Sequence, residues 1–227
     1  MYLTTGKLDN GINFYVRYLT MKDLPEVIKL QSKVVQGLPE PDVLQPLTTE
    51  EFSTILKDRN LMIGVFVDER MIAFRAMLAP EKDEEGLGAD IGLPEEQFGT
   101  IIYSEISNVD PDYRGNGLQT YMGKILVNNI DDNRYRYILA TVAPFNIASL
   151  KDKFALGMEI AVLKEKFGGK LRYVFKKDLN KEAQTDPTKE IDIKMGDIER
   201  QQAILMTGYR GVSMKNIADE WYVCYKK

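Results

Sequence analysis

The chain contains no histidine. That absence excludes the Ser-His-Asp and Cys-His arrangements, in which an imidazole carries the proton. It also argues against a transition-metal site, for which imidazole is a principal ligand. Only one cysteine is present, Cys224, so no intrachain disulfide can form, and a reducing, cytoplasmic setting is expected. Val223 and Tyr225 flank that thiol in an apolar, strand-like segment, which reads as a buried and inert position. No apolar stretch approaches membrane-spanning length. Met1 to Asn13 shows no basic region followed by an apolar run, so no signal peptide is expected. An excess of positive charge is missing too: 30 Lys and Arg stand against 34 Asp and Glu, which gives no support to a nucleic-acid surface. Internal repeats and low-complexity tracts are absent.

What remains is ordinary globular composition. The 227 residues, 44% hydrophobic and 28% charged, suffice for one large domain or for one domain with an appendage. Ile12 to Leu19 predicts a first strand. Asp23 with Glu26 predicts a capping box opening a helix, ended by Gly37-Leu38-Pro39. A loop is expected over Pro39 to Pro46, and Thr48 with Glu51 repeats the capping box before a short second helix. Leu61–Val67 and Met71–Leu78 read as an antiparallel hairpin. Pro80 to Gly99 reads as a long acidic loop, and Thr100 to Val109 as a strand. A helix from Leu118, a buried strand over Tyr135–Val142, a helix capped by Asn146 and two strands (Met158–Lys164, Lys170–Lys176) follow. Asn180 to Lys189 looks like a linker. Beyond it come a short alternating run (Ile191, Ile193, Met195), a helix over Asp197–Thr207 and a terminal strand. Tyr209, Trp221, Tyr222 and Tyr225 look exposed there, and fit either a partner surface or an extra layer on the same core. The order predicts one mixed α/β domain.

The segment between the strand ending at Val109 and the helix from Leu118 carries two glycines, Gly115 and Gly117. A strand that turns through glycines into a helix aims uncommitted backbone N–H groups and the positive end of a helix dipole at one point. A phosphate is the natural occupant of such a point.

Two local motifs, in this order of elements, resemble the GNAT acyltransferase superfamily over about residues 12–178. The first is Val109-Asp110-Pro111-Asp112-Tyr113-Arg114-Gly115-Asn116-Gly117-Leu118-Gln119, similar to V-x-P-x-Y-R-G-x-G-x-G/A. The second is Asn146-Ile147-Ala148-Ser149 with Gly157-Met158, similar to N-x-x-A/S followed by a glycine-aromatic pair. The resemblance implies a mostly antiparallel central sheet with splayed strands four and five and helices on both faces. A domain is expected over 1–178, with a C-terminal α/β extension, 179–227, read as packed on the same domain. It implies acetyl-CoA as co-substrate, with no metal. The N–H groups of Gly115, Asn116, Gly117, Leu118 and Gln119 would meet the pyrophosphate. The backbone of Ser107, Asn108 and Val109 would hold the pantetheine arm and the acetyl carbonyl. Arg114 would pair with a phosphate or cap the turn in solvent. Asn146, with Ser149, would contact the cofactor or serve as a plain helix cap.

Three positions depart from the family pattern. Gln119 stands where glycine or alanine is usual, and Met158 where an aromatic is usual. Lys153 stands where many members place a tyrosine acid, and it reads best as a solvated surface lysine. For the base, Glu105 on the strand before the splay is the candidate, as a proton acceptor or as a strand carboxylate paired with a neighbouring cation. Tyr103 and Ser104 are weaker alternatives. The implied activity is transfer of an acetyl group to a primary amine of a small molecule or peptide by direct attack. The acidic Pro80–Gly99 segment hints at a cationic acceptor. The alternative is a catalytically inactive CoA-binding domain whose extension binds a partner or forms a homodimer. Neither nucleic acid nor membrane is an expected partner.

Overall fold

The computed structural model describes residues 2–37, 45–58, 60–180 and 190–227. The loop expected over Pro39–Pro46 and the linker expected over Asn180–Lys189 fall largely on residues 38–44 and 181–189, outside the described residues. Among the described residues no helix is long and apolar enough to cross a membrane. The chain divides into two compact units, Met1–Ala79 with Ser104–Ile130, and Pro80–Tyr103 with Asp131–Lys227.

In the first unit β1 (Thr4–Lys7), β2 (Asn13–Tyr18), β3 (Met62–Val67) and β4 (Arg70–Leu78) lie side by side in that order, each antiparallel to the next. The β1 hairpin partner of the first expected strand was not legible, because Thr-Thr-Gly-Lys carries no apolar alternation. Every residue of β3 is buried, and only the ends of β4 are not. Such strands are covered on both faces, which is why they read as continuous apolar runs and not as alternation. The two faces can be assigned from adjacent residues. Phe74 meets Phe52 of α2 (Thr49–Lys57) edge to face at 5.6 Å. Arg75, pointing the other way, donates to the Gln119 carbonyl of α4 (Leu118–Asn128).

Thr48 caps α2 with Glu51 in the expected box. The first helix starts differently. Thr20 and Asp23 form the capping box of a 3-10 turn over Met21–Asp23, and α1 runs Leu24–Gln36 behind it. Glu26, assigned to the box from its spacing, instead accepts the Met71 N–H at 2.8 Å. Asp23 is the better acceptor there because Arg17 also pairs with it, at 2.6 Å. Those bonds outweigh burial and hold its pKa below the usual carboxylate value.

In the second unit the Pro80–Gly99 segment is not a solvated loop. It contains α3 (Leu87–Asp90) and a 3-10 turn over Glu95–Thr100, with Leu87 buried. Two of its acids are committed: Asp83 accepts from the N–H groups of Gly88 and Ala89 and from the Tyr103 hydroxyl, and Asp90 pairs with Lys164 and Lys166. Strand β5 (Ile101–Val109) contributes its first three residues to this unit. They run parallel to β6 (Tyr137–Val142) in the register Ile101↔Tyr137 to Tyr103↔Leu139, where the ladder ends. The order continues antiparallel through β8 (Lys170–Asp178), β7 (Glu159–Lys166), β10 (Arg210–Ile217), β11 (Glu220–Lys226) and β9 (Glu190–Lys194). Helix α5 (Ile147–Ala155) sets Phe154 against Phe175 at 5.3 Å.

The last helix, α6 (Ile198–Met206), sends Gln201 inward with no exposure. Its amide oxygen accepts from the hydroxyls of Tyr173 and Tyr225, at 2.7 and 2.8 Å, and its NH2 donates to the Met195 carbonyl. Tyr225, read as exposed, is therefore a core residue. A Tyr in a strand shares its face with every second residue, and Val223 on that face is buried as well. Cys224 is buried, and burial pushes its thiol pKa up, reinforced by the Glu190 carboxylate.

Candidate functional site

The turn between β5 and α4 lies entirely in the first unit. Asp110 starts it. Its N–H bonds the Ile72 carbonyl at 2.9 Å, and its carboxylate, 1% exposed, accepts from Lys33 at 2.6 Å, Arg70 at 2.7 Å and the Asp112 N–H. Burial alone would raise its pKa, but these donors outweigh burial and hold it low. Pro111–Tyr113 form a 3-10 turn, and then Gly115 and Gly117 adopt φ of +88° and +66°. A side chain at either position would be strained, although a Cβ there would meet nothing within 4 Å. The glycines thus face open space.

Asn116 holds the turn from inside. Its Nδ2 donates to the Tyr113 carbonyl at 3.0 Å, and its Oδ1 accepts the Asp9 N–H at 2.9 Å. The first helical bond of α4 is Tyr121 N–H to the Gly117 carbonyl. Gly117 caps the helix without a side-chain bond. Among the described residues, the N–H groups of Gly115, Asn116, Gly117, Leu118 and Gln119 therefore donate to no protein atom. Five uncommitted donors stand in sequence at the positive end of an eleven-residue helix, an arrangement that suits an anion. Arg75, 1% exposed, adds a buried positive charge beneath it by bonding the Gln119 carbonyl at 3.0 Å and Ser104 Oγ at 2.9 Å. Nothing local in the sequence singled out Arg75, since its partners Ser104 and Gln119 lie 29 and 44 residues further along the chain. Arg114 is exposed and the Gln119 side chain is half-buried at the cradle.

Strand β5 leads into the cradle with two distinct faces. Ser104, Ile106 and Asn108 are buried, on the face of Arg75 and α4. Glu105, Ser107 and Val109 are half-buried, on the face of α1 and α2. Ser107 Oγ and both amide atoms of Asn108 are buried with no hydrogen-bond partner among the described residues. Buried polar atoms of this kind are rare, and each requires a reason. Tyr103, expected to share a face with Glu105, belongs to the second unit and gives its hydroxyl proton to Asp83 at 2.6 Å. Burial and that carboxylate push its pKa far above its ordinary value.

In the second unit Asn146 caps α5, its Oδ1 accepting from Ser149 N–H at 3.2 Å. Its Nδ2 has no partner among the described residues. Gly157, φ +69°, ends the helix region, and Met158 is buried. Lys153 is not a solvated surface lysine. It is 7% exposed, with Nζ 3.2 Å from the buried Asp152. Helical spacing explains this, since Lys153 lies three residues after Leu150, on the stripe that faces inward.

Among the described residues, Glu190, Asp192 and Cys224 bring potential metal ligands within 4.8 Å of one another. Both carboxylates are already neutralised, Glu190 by Lys226 and Asp192 by Lys215.

The strand-turn-helix, the parallel pair cut short after three residues and the helix capped by Asn146 belong to a mixed α/β fold that solved GNAT acetyltransferases share. Solved structures bear this out. The chain is similar to yncA, a putative acetyltransferase from Salmonella typhimurium solved with acetyl-CoA, at 15% identity and TM-score 0.55, over 77% of this chain and 98% of that one. It is similar to the ribosomal-protein-S18-alanine N-acetyltransferase from Escherichia coli, at 15% identity and TM-score 0.54, over 75% and 97%. A GNAT-family acetyltransferase from Listeria monocytogenes matches at 13% identity and TM-score 0.57, over 78% and 100%. No family model and no curated protein matches the sequence.

Proposed function

We propose that this protein is an N-acetyltransferase that moves an acetyl group from acetyl-CoA to a primary amine. The observation that carries this reading is the run of five uncommitted N–H groups from Gly115 to Gln119 over open glycines. It fits a pyrophosphate: the donors are neutral backbone groups in sequence at the positive end of a helix. The similarity to a structure solved with acetyl-CoA supports the same reading.

Acetyl-CoA supplies a thioester whose carbonyl an amine attacks, with the CoA thiolate as leaving group. In this reading Gly115 to Gln119 anchor the pyrophosphate by backbone. The Ser107–Val109 backbone holds the pantetheine arm. A backbone N–H in that segment faces the carbonyl oxygen as it gains charge. Glu105, half-buried on the α1 and α2 face, takes the ammonium proton so that nitrogen has a free pair. Lys153 is paired with Asp152, and the thiolate takes the second proton that the new amide sheds. The acceptor is a small-molecule or peptide amine. Because Asp83 and Asp90 are consumed in structure, the acidic segment gives little ground for a cationic acceptor.

The test is thiol release from acetyl-CoA across a panel of amines. Release that depends on one amine, and falls at least tenfold in Glu105→Gln with acetyl-CoA binding intact, is expected. Absence of acetyl-CoA binding sinks the reading. Tight binding without turnover on any amine leaves a CoA-binding domain that is not an enzyme.

A further inference from the structure

An asparagine followed by glycine is chemically labile. No side chain shields the glycine amide nitrogen, and once deprotonated it closes on the asparagine Cγ. The chain has two such steps, Asn10-Gly11 and Asn116-Gly117, and both lie in the first unit. The structure treats them in opposite ways. At the first step the nucleophile is occupied. The Gly11 N–H donates to the Leu8 carbonyl at 2.8 Å, and Asn10 Oδ1 accepts from the Ile12 N–H at 3.1 Å.

At the second step the nucleophile is open. The Gly117 N–H donates to no protein atom among the described residues, and the residue is exposed. A Cβ there would meet nothing within 4 Å, so solvent base reaches the nitrogen. Gly117 is also the N-cap of α4, where the positive end of the helix dipole stabilises the anion that loss of this proton leaves. The electrophile is prepared as well. Asn116 Oδ1 accepts the Asp9 N–H at 2.9 Å, which draws electrons from Cγ and supports the oxyanion of the addition.

We propose that Asn116 is a site of spontaneous deamidation in the ligand-free protein, while Asn10 is protected. Base takes the Gly117 amide proton, and the nitrogen bonds to Asn116 Cγ. The Cγ–Nδ2 bond breaks, and Nδ2 leaves as ammonia with a proton from water. Water then opens the succinimide at either carbonyl. One opening gives aspartate. The other gives isoaspartate, whose main chain is longer by one methylene. Both products set a carboxylate among the N–H groups of Gly115 to Gln119 and remove the Nδ2 bond to the Tyr113 carbonyl. The consequence for binding rests on the reading above: a phosphate on the Gly117 N–H blocks the attack, and the new carboxylate repels that phosphate.

The experiment ages the purified full chain at mildly alkaline pH, with and without saturating acetyl-CoA. Peptide mass mapping follows both Asn-Gly steps, and carboxyl methylation counts isoaspartate. The chain in urea gives the rates set by local sequence alone. The ratio of Asn116 to Asn10 conversion is expected to be at least about fivefold higher folded than in urea, the helix end supplying about two- to fivefold and the occupied Gly11 nitrogen the rest. Acetyl-CoA slows Asn116 and leaves Asn10 unchanged. Asn116→Asp, checked by melting for a folded state, binds acetyl-CoA roughly tenfold or more weakly, since a like charge is set close to the phosphates. A ratio no higher than in urea, or Asn116 intact while Asn10 converts, overturns the inference and leaves the CoA reading standing. Conversion of Asn116 that acetyl-CoA does not slow upholds the modification site and sinks the CoA reading.

Discussion

Asn108 offers the sharpest test of what the turn is for. The residue is 1% exposed, and neither Oδ1 nor Nδ2 has a hydrogen-bond partner among the described residues. Leaving a buried polar group unsatisfied costs about 1–3 kcal/mol, and here there are two such groups. Leucine has the same branching at Cγ and no polar atom. Asn108→Leu should therefore stabilise the ligand-free protein. The extra methyl volume takes back part of the gain, since overpacking a core costs roughly 1–3 kcal/mol. A net gain of about 1–2 kcal/mol is expected, which at this chain length raises Tm by roughly 2–8 °C. The same change should weaken acetyl-CoA binding by about tenfold, the equivalent of ~1.4 kcal/mol. Stability and affinity would then move in opposite directions, as they do where a strained polar group is kept for a ligand. Thermal melting without ligand and calorimetry with acetyl-CoA measure the two. A lower Tm in the ligand-free variant refutes the reasoning, because the amide would then have had partners in the folded protein all along.

Three further outcomes are expected. Gly117→Ala forces a side chain into the left-handed region and lowers unfolding stability by about 1–2 kcal/mol, with a further loss of acetyl-CoA affinity; unchanged affinity would show that the cradle holds no phosphate. Asp110→Asn costs roughly 2–3 kcal/mol at neutral pH, because a carboxylate that accepts from two cations is lost. Its folded pKa lies below the unfolded value near ~3.9, so its contribution is present above that value and fades as pH falls through the folded pKa; denaturant midpoints of wild type should drop below about pH 4, and the variant's should drop less. Lys153→Met leaves Asp152 buried without that cation and costs about 3 kcal/mol in a melt, whereas a surface lysine would cost no more than about 0.5 kcal/mol.

The glycine turn between strand and helix was legible in the sequence because its determinants are local. Glycines at Gly115 and Gly117, a strand before and an amphipathic stripe after need no tertiary knowledge, and Asn146 with Gly157 is local in the same way. Where the reading failed, a distant partner decided. Glu26 had the right spacing for a capping box, but Met71, far along the chain, competes for its carboxylate. The Pro80–Gly99 acids looked solvated because nothing nearby showed Tyr103, Lys164 and Lys166 waiting for them. Lys153 and Tyr225 look like surface residues in any composition-based view. Only the helical and strand spacing of their neighbours Leu150 and Val223 pointed inward. Strand β10, Arg210–Ile217, lacks an apolar face of its own, with only Gly211 buried, and becomes a strand by pairing with β11 and β7.

The bond from Asp9 N–H to Asn116 Oδ1 has a consequence for how the chain tolerates change. Connections between neighbouring strands usually absorb insertions and deletions easily. The one between β1 and β2 is held by Leu8 N–H on the Ile12 carbonyl and Gly11 N–H on the Leu8 carbonyl, which aims the Asp9 N–H at the turn. Adding or removing one residue there would redirect that donor and release Asn116. The length of this short connection is therefore fixed by a loop more than a hundred residues away in the chain, and it should vary least among natural relatives that keep asparagine at this position.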